Sequence, residues 1–123
     1  MADPSDAELE VLKLFWRRGP SSVREVQDDF GVAAGWASST TRTVLERMTA
    51  KGLLRRKSMH GVAVYAPAQD KVEVIGRALK KLSRALEIEG PLPASAFTGS
   101  AILTPEEIDE LEAMLREEGE ESQ

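Results

Sequence analysis

Residues Trp36–Gly52 read WASSTTRTVLERMTAKG. On a helix at about 100° per residue, Ala37, Thr41, Val44, Leu45 and Met48 fall on one side. Ser39, Thr40, Arg42, Thr43, Glu46 and Arg47 fall on the other, with Ser38 in the first turn. The first set can face a core. The second is rich in hydroxyl and guanidinium groups, with one acid among them. Arg can chelate the acceptor edge of guanine, Thr can bond a base edge or offer its methyl to thymine, and Ser can reach phosphate. Such a face suits a helix lying in a DNA major groove. An ordinary solvated helix face is the competing reading, and the flanking sequence has to decide between them.

Upstream, Ser5 and Glu8 fit a capping box, and Leu9, Val11, Leu12, Phe15 and Trp16 follow at helical spacing. Arg17, Arg18, Gly19 and Pro20 supply the stop. Ser22 and Glu25 form a second capping box, which opens a short helix with Val23, Val26 and Phe30 on one face and Gly31 at its end. Val32 to Gly35 reads as a turn, and the third helix runs from about Ala37 to Lys51 with Gly52 just beyond it. Trp36 has two readings: it staples the turn to the first helix, or it lies against a DNA backbone with its indole N–H on phosphate. Three short helices, the third polar outward and apolar inward, describe a helix-turn-helix core.

Downstream the period changes. Leu53–Ser58 and Val62–Ala66 are β-prone runs around Met59, His60 and Gly61, a hairpin signal, and Pro67 ends the second strand. A hairpin directly after a recognition helix is a wing. Arg55, Arg56 and Lys57 place three cations on it, suited to phosphates along the backbone or the minor groove. The alternative is an edge strand protected by charge. His60, the only histidine, has no cysteine partner or acidic pair nearby and reads as a turn residue, so no metal is expected.

In the C-terminal part Asp70 can cap a helix in which Val72, Ile75, Leu79, Leu82 and Leu86 recur at steps of three and four, a heptad-like stripe. The winged core closes without this stripe, so an intermolecular seam is its expected use. Gly90, Pro91, Leu92 and Pro93 break the helix. Ala94–Ile102 is ambiguous, with Phe97 and Ile102 as anchors. Thr104, Pro105, Glu106 and Glu107 start a last helix whose apolar face carries Ile108, Leu111, Met114 and Leu115, and the chain from Glu117 is expected to be acidic and loose. Two regions follow: residues 1–68 as a winged-helix DNA-binding domain, and residues 69–123 as a helical dimerisation region with an acidic tail. The fold class is mainly α with a small β-hairpin wing.

The chain has 123 residues and a net charge of −5, which alone argues against nucleic acid. Its distribution argues otherwise. Residues 1–68 hold 10 Lys/Arg against 8 Asp/Glu, a net of +2, and residues 69–123 hold 6 against 13, a net of −7. The absence of cysteine excludes disulfides, thiolate metal sites and cysteine nucleophiles, and it is compatible with a reducing cytoplasm. No signal-like start or membrane-length apolar run occurs, so a soluble cytoplasmic protein is expected. Nothing reads as an enzyme: there is one His in a turn, no Gly-rich phosphate loop and no cofactor motif.

The order DAELEVLKLFWRRGPSSVREVQ, then Trp36 with TTRTVLERMTAKGLL, then RRKSMHGVAVYAP resembles the winged-helix repressors of the penicillinase-repressor family over about residues 5–68. The final LTPEEIDELEAML is similar to that family's last helix. The family includes the repressors of β-lactamase and methicillin-resistance genes and a copper-responsive branch. The resemblance implies a homodimer on a palindromic operator in double-stranded DNA, blocking transcription. One protomer alone should bind weakly, so the repressor is expected to be released when the dimer is disrupted. It puts base and phosphate contacts on Ser39, Thr40, Arg42 and Thr43, with Arg47 beside them, and has the C-terminal helices interlock. An inducing protease or another effector is the implied further partner. The chain lacks the cysteine hook of the copper-responsive branch. In the antibiotic-responsive branch induction is by cleavage of an Asn-Phe bond, whereas the nearest phenylalanine here, Phe97, follows Ala96. Two other functions fit the same fold: a winged-helix protein-interaction module without DNA binding, and a repressor that responds to a small molecule.

Overall fold

The structure is a computed structural model that describes residues 3–88 and 94–121, with side chains described through Arg116. The chain divides into two compact units, Met1–Gln69 and Asp70–Gln123.

In the first unit α1 spans Asp6–Arg18, and the Ser5–Glu8 capping box closes in both directions. β1 is the dipeptide Ser21–Ser22. Ser22 also caps α2, Val23–Val26, with Glu25 as its reciprocal partner. The sequence suggests one continuous helix to Gly31, but the backbone widens into a π-helical turn over Gln27–Gly31. α3 spans Ser38–Ala50. Its end is a Schellman motif: Gly52, at φ 82°, donates to Thr49 O and Leu53 donates to Met48 O.

β2, Leu54–Met59, and β3, Val62–Pro67, form the wing. Their two-residue connection has His60 at φ 52° and Gly61 at φ 78°, the type I′ geometry that matches strand twist. The hairpin is not alone. β1 pairs with β3 through Ser21↔Tyr65 and Ser22↔Val64, giving an antiparallel sheet of order β1-β3-β2. Val11, Leu12, Phe15, Val26, Leu45, Met48, Leu53, Leu54 and Tyr65 are buried in this unit and give it a core.

In the second unit α4 spans Lys71–Ala85 and is capped by Asp70, whose carboxylate accepts from Val72 N at 2.8 Å. It closes in another Schellman motif with Glu87 at φ 54°. Gly90, Pro91, Leu92 and Pro93, the expected helix breakers, lie outside the described residues. A single 3-10 turn covers Ala94–Phe97, and α5 spans Pro105–Glu121. The backbone is therefore helical past Glu117, where a loose tail was expected. Glutamate is a good helix former, and the run from Glu117 continues a helix already well started by Thr104 and Pro105.

The apolar stripe of α4 divides. Val72 and Ile75 are buried in a cluster within the same chain, together with Ala94, Leu103, Leu111 and Leu115, and Leu79 and Ile108 pack partly against it. Leu82 and Leu86 stay 47% and 61% exposed. Gly76 lets α5 come close: a Cβ there would lie 2.7 Å from Met114 Sδ. Lys71 and Glu107 add an ion pair of 2.8 Å between the two helices.

Candidate nucleic-acid interface

The polar side of α3 is presented as expected. Ser38, Ser39, Thr40, Arg42, Thr43, Glu46 and Arg47 are all exposed, while Thr41, Leu45 and Met48 are buried. Ala37 belongs to neither set. It is exposed and serves as N-cap, because the helix starts one residue later than the sequence suggests. Alanine offers no side-chain acceptor, so the first N–H groups of α3 have no side-chain cap, in contrast to those of α1, α2 and α4. An uncapped N-terminus favours an anion. The Thr43 hydroxyl donates to Ser39 O at 3.0 Å, which fixes its rotamer and leaves its oxygen lone pairs and methyl for the outside. Glu46 and Ser39 sit near the centre of the exposed arc at 100° per residue. Glu46 therefore joins the candidate readers, since a carboxylate can accept from cytosine N4.

What holds this face is a polar clamp with no local sequence signature. Gln27 Nε2 donates to Trp36 O at 2.7 Å, and the Thr41 hydroxyl donates to Gln27 Oε1. Trp36 N in turn donates to Gly31 O at 2.8 Å. One glutamine thus ties the π-helical turn to both the start and the first turn of α3. Gly31 leaves room for this clamp: a Cβ there would collide with Gln27 Oε1 and lie 2.6 Å from Thr41 Oγ1, so the glutamine side chain would have to shift. The Trp36 ring is half-buried and meets Phe30 edge to face, centroids 5.1 Å apart at 69°. Of the two roles open to Trp36, packing is present, with the ring set against Phe30 of the π-helical turn.

The far end of α3 is tied to α1. Lys51 Nζ lies 2.6 Å from Glu8 Oε1, and Glu8 is 8% exposed. Burial alone raises the Glu8 carboxyl. Hydrogen bonds from Lys51 and from the Ser5 backbone and hydroxyl, with the lysine charge, outweigh it and hold the group below its ordinary range. Arg18 pairs with Asp29 and lies 3.6 Å from Glu25, which partly neutralises the acids of the α2 segment. The Glu25 carboxyl is held low chiefly by the Ser22 N–H, then by the Ser22 hydroxyl.

On the wing, Arg55, Arg56 and Lys57 are all exposed, but they do not share a side. Register and alternation put Arg56, opposite Tyr65, on the core-facing side of the sheet. Arg55, opposite Ala66, and Lys57, opposite Val64, share the other. Among the described residues no group of three or more His, Asp or Glu could hold a metal ion, and no helix is long and apolar enough to cross a membrane.

A model of the family described as penicillinase repressor matches residues 4–117. The chain belongs to the penicillinase repressor family. The penicillinase repressor of Bacillus licheniformis is 35% identical over 71 residues, 58% of this chain and 56% of that protein. The methicillin resistance regulatory proteins MecI of Mammaliicoccus sciuri and Staphylococcus aureus are each 28% identical over 61 residues, half of either chain. The chain thus spans about half the length of the curated relatives it matches. Among solved structures, a mutant of ZitR from Lactococcus lactis aligns with 99% of this chain and 77% of its own, at 13% identity and a TM-score of 0.49. Membership of the penicillinase repressor family agrees with the winged helix-turn-helix described above, whose third helix and wing both carry exposed cations.

Proposed function

We propose that this protein is a transcriptional repressor that binds double-stranded operator DNA as a homodimer. The observation that carries the proposal is the pairing of opposite faces on α3. Thr41, Leu45 and Met48 lock one side into the core, so Arg42, Arg47 and the hydroxyls beside them are held outward on a rigid element next to a cationic wing. Ser38, Ser39, Thr40, Arg42, Thr43, Glu46 and Arg47 would read bases and nearby phosphates in the major groove. Arg55, Lys57 and Arg56 would neutralise phosphates to the side. Family membership supports the same reading.

One such surface offers limited contact. Two of them, about one helical turn or roughly 34 Å apart, would read two half-sites together. The exposed Leu82 and Leu86, at the end of a stripe otherwise used within the chain, are the apolar side chains proposed for the seam between protomers. Val72, Ile75, Leu79, Ile108, Leu111 and Leu115 would support it from the cluster behind. Anything that separates the protomers would release DNA, whether an inducing protease or another effector. Phe97 follows Ala96, so an Asn-Phe cleavage site is not available there.

Selection tests this reading directly. Sheared genomic DNA from the source organism is passed over the immobilised protein, and the retained fragments are sequenced. A shared palindrome among them is the expected result. Retention without any shared sequence would point to a charge effect alone, and no retention at low salt would point to a protein partner for the α3 face.

A further inference from the structure

Met59 and Val62, 51% and 52% exposed, are cross-strand neighbours bracketing the His60-Gly61 turn at the tip of the wing. Scattered apolar residues on a surface need no explanation. Here two large ones meet on one side of a hairpin tip. Residues alternate along a strand, so Met59, Lys57 and Arg55 share a side of β2, and Val62, Val64 and Ala66 lie on the same side of β3. From tip to base that side presents an apolar pair and then two cations. The order matches the cross-section of a nucleic-acid groove, which has charged rims and a less charged interior.

We propose that Met59 and Val62 seat in the minor groove beside the bases met by α3, with Lys57 and Arg55 on the phosphates of its rim. The inference rests on the operator reading above and adds two contact residues and a base preference to it. Dimensions restrict the mode of entry. The minor groove is about 6 Å wide, and two paired strands alone are about 4.8 Å apart before side chains are added. The hairpin cannot enter whole. The unbranched thioether of Met59 can enter, with Val62 lying against a sugar edge. Methionine suits this role because three rotatable bonds let it follow an irregular wall. Guanine projects its N2 amino group into the floor of this groove, where an apolar side chain would clash with it and leave its donor unpaired. The tip is therefore predicted to prefer A·T pairs. The gain comes from apolar area leaving water and not from counterion release, so it changes affinity without changing the salt slope.

The experiment uses the full chain and a duplex carrying the palindrome retained in the selection, with inosine replacing guanine in the flanks of each half-site. Inosine lacks the N2 amino group and leaves the major-groove pattern of guanine intact. Wild type and the double variant Met59→Gln, Val62→Thr are compared by fluorescence anisotropy over a salt series. Both positions are half exposed, and circular dichroism checks that the variant is folded. Wild type is expected to bind the inosine duplex more tightly than its guanine counterpart. The double variant is expected to bind about tenfold more weakly with an unchanged slope, and to lose the discrimination. Equal binding by variant and wild type overturns the proposal and leaves the operator reading intact. So does a variant that keeps the inosine preference, or one that changes sedimentation in place of DNA affinity, which would assign the tip to a protein contact. If wild type itself retains no DNA, the operator reading falls first and the wing-tip proposal with it.

Discussion

At the scale of single residues, two charges carry separate predictions. Lys51 is half of the tie between α1 and α3. Replacing it with Met leaves the largely buried Glu8 carboxylate without its cation and is expected to cost about 1 kcal/mol, since the lysine end is partly exposed and screened by water. Urea denaturation at neutral pH measures this. The Glu8 carboxyl lies below its ordinary value of 4.5 in the folded chain, so its contribution is complete above that value and is lost as pH falls through the lower folded one. The gap between wild type and Lys51→Met should narrow over that acid window, and a gap that does not change with pH would contradict the pairing. Arg42→Ala leaves the fold untouched, because its side chain is exposed, yet it is expected to cost about 1–3 kcal/mol of binding per half-site if the contact is bidentate to guanine. Unchanged affinity for the selected palindrome would remove Arg42 from the interface. The exposure of Arg42 was legible from helical periodicity, and the capping boxes at Ser5 and Ser22 were legible from three-residue spacing. The tie from Lys51 was not, because its partner lies 43 positions away and nothing local distinguishes this lysine from a solvated one.

At the scale of elements, the orientation of α3 depends on the clamp of Gln27, Trp36 and Thr41. Gly31→Ala pushes a methyl into that clamp and is expected to destabilise the protein by about 1–3 kcal/mol, as overpacking does. It should also weaken DNA binding by more than the fraction unfolded explains, because α3 loses its fixed start. A thermal melt and a binding isotherm on the same sample separate the two, and normal values of both would show that the clamp is dispensable. The sequence marked Gly31 as a helix stop. Its actual use, admitting the glutamine and threonine side chains to a π-helical turn, arises from tertiary contact and has no periodic signal. The same holds for β1: two serines carry no strand pattern, and only pairing with Tyr65 and Val64 makes them one. The wing, by contrast, was readable, because His60-Gly61 between two β-prone runs suits a turn needing positive φ at both central positions. The split of its cations was hidden in the run Arg55-Arg56-Lys57 until the register was known.

At the scale of the whole molecule, periodicity identified the apolar stripe of α4 but could not name its partner. Val72 and Ile75 face a cluster inside their own chain, and Leu82 and Leu86 remain uncovered. That division sharpens the dimer prediction. Leu82→Asp is expected to yield a folded monomer, because the substituted side chain is exposed within one chain and would be desolvated only in the seam. Sedimentation that still reports a dimer would place the seam elsewhere. Two α3 faces acting together on one operator would leave a paired footprint, which footprinting of the selected fragment over a salt series can detect. The expected result is a protected palindrome with half-site centres one or two helical turns apart, and an affinity that falls steeply with salt. No protection at low salt, in a sample shown to be a folded dimer, would contradict it.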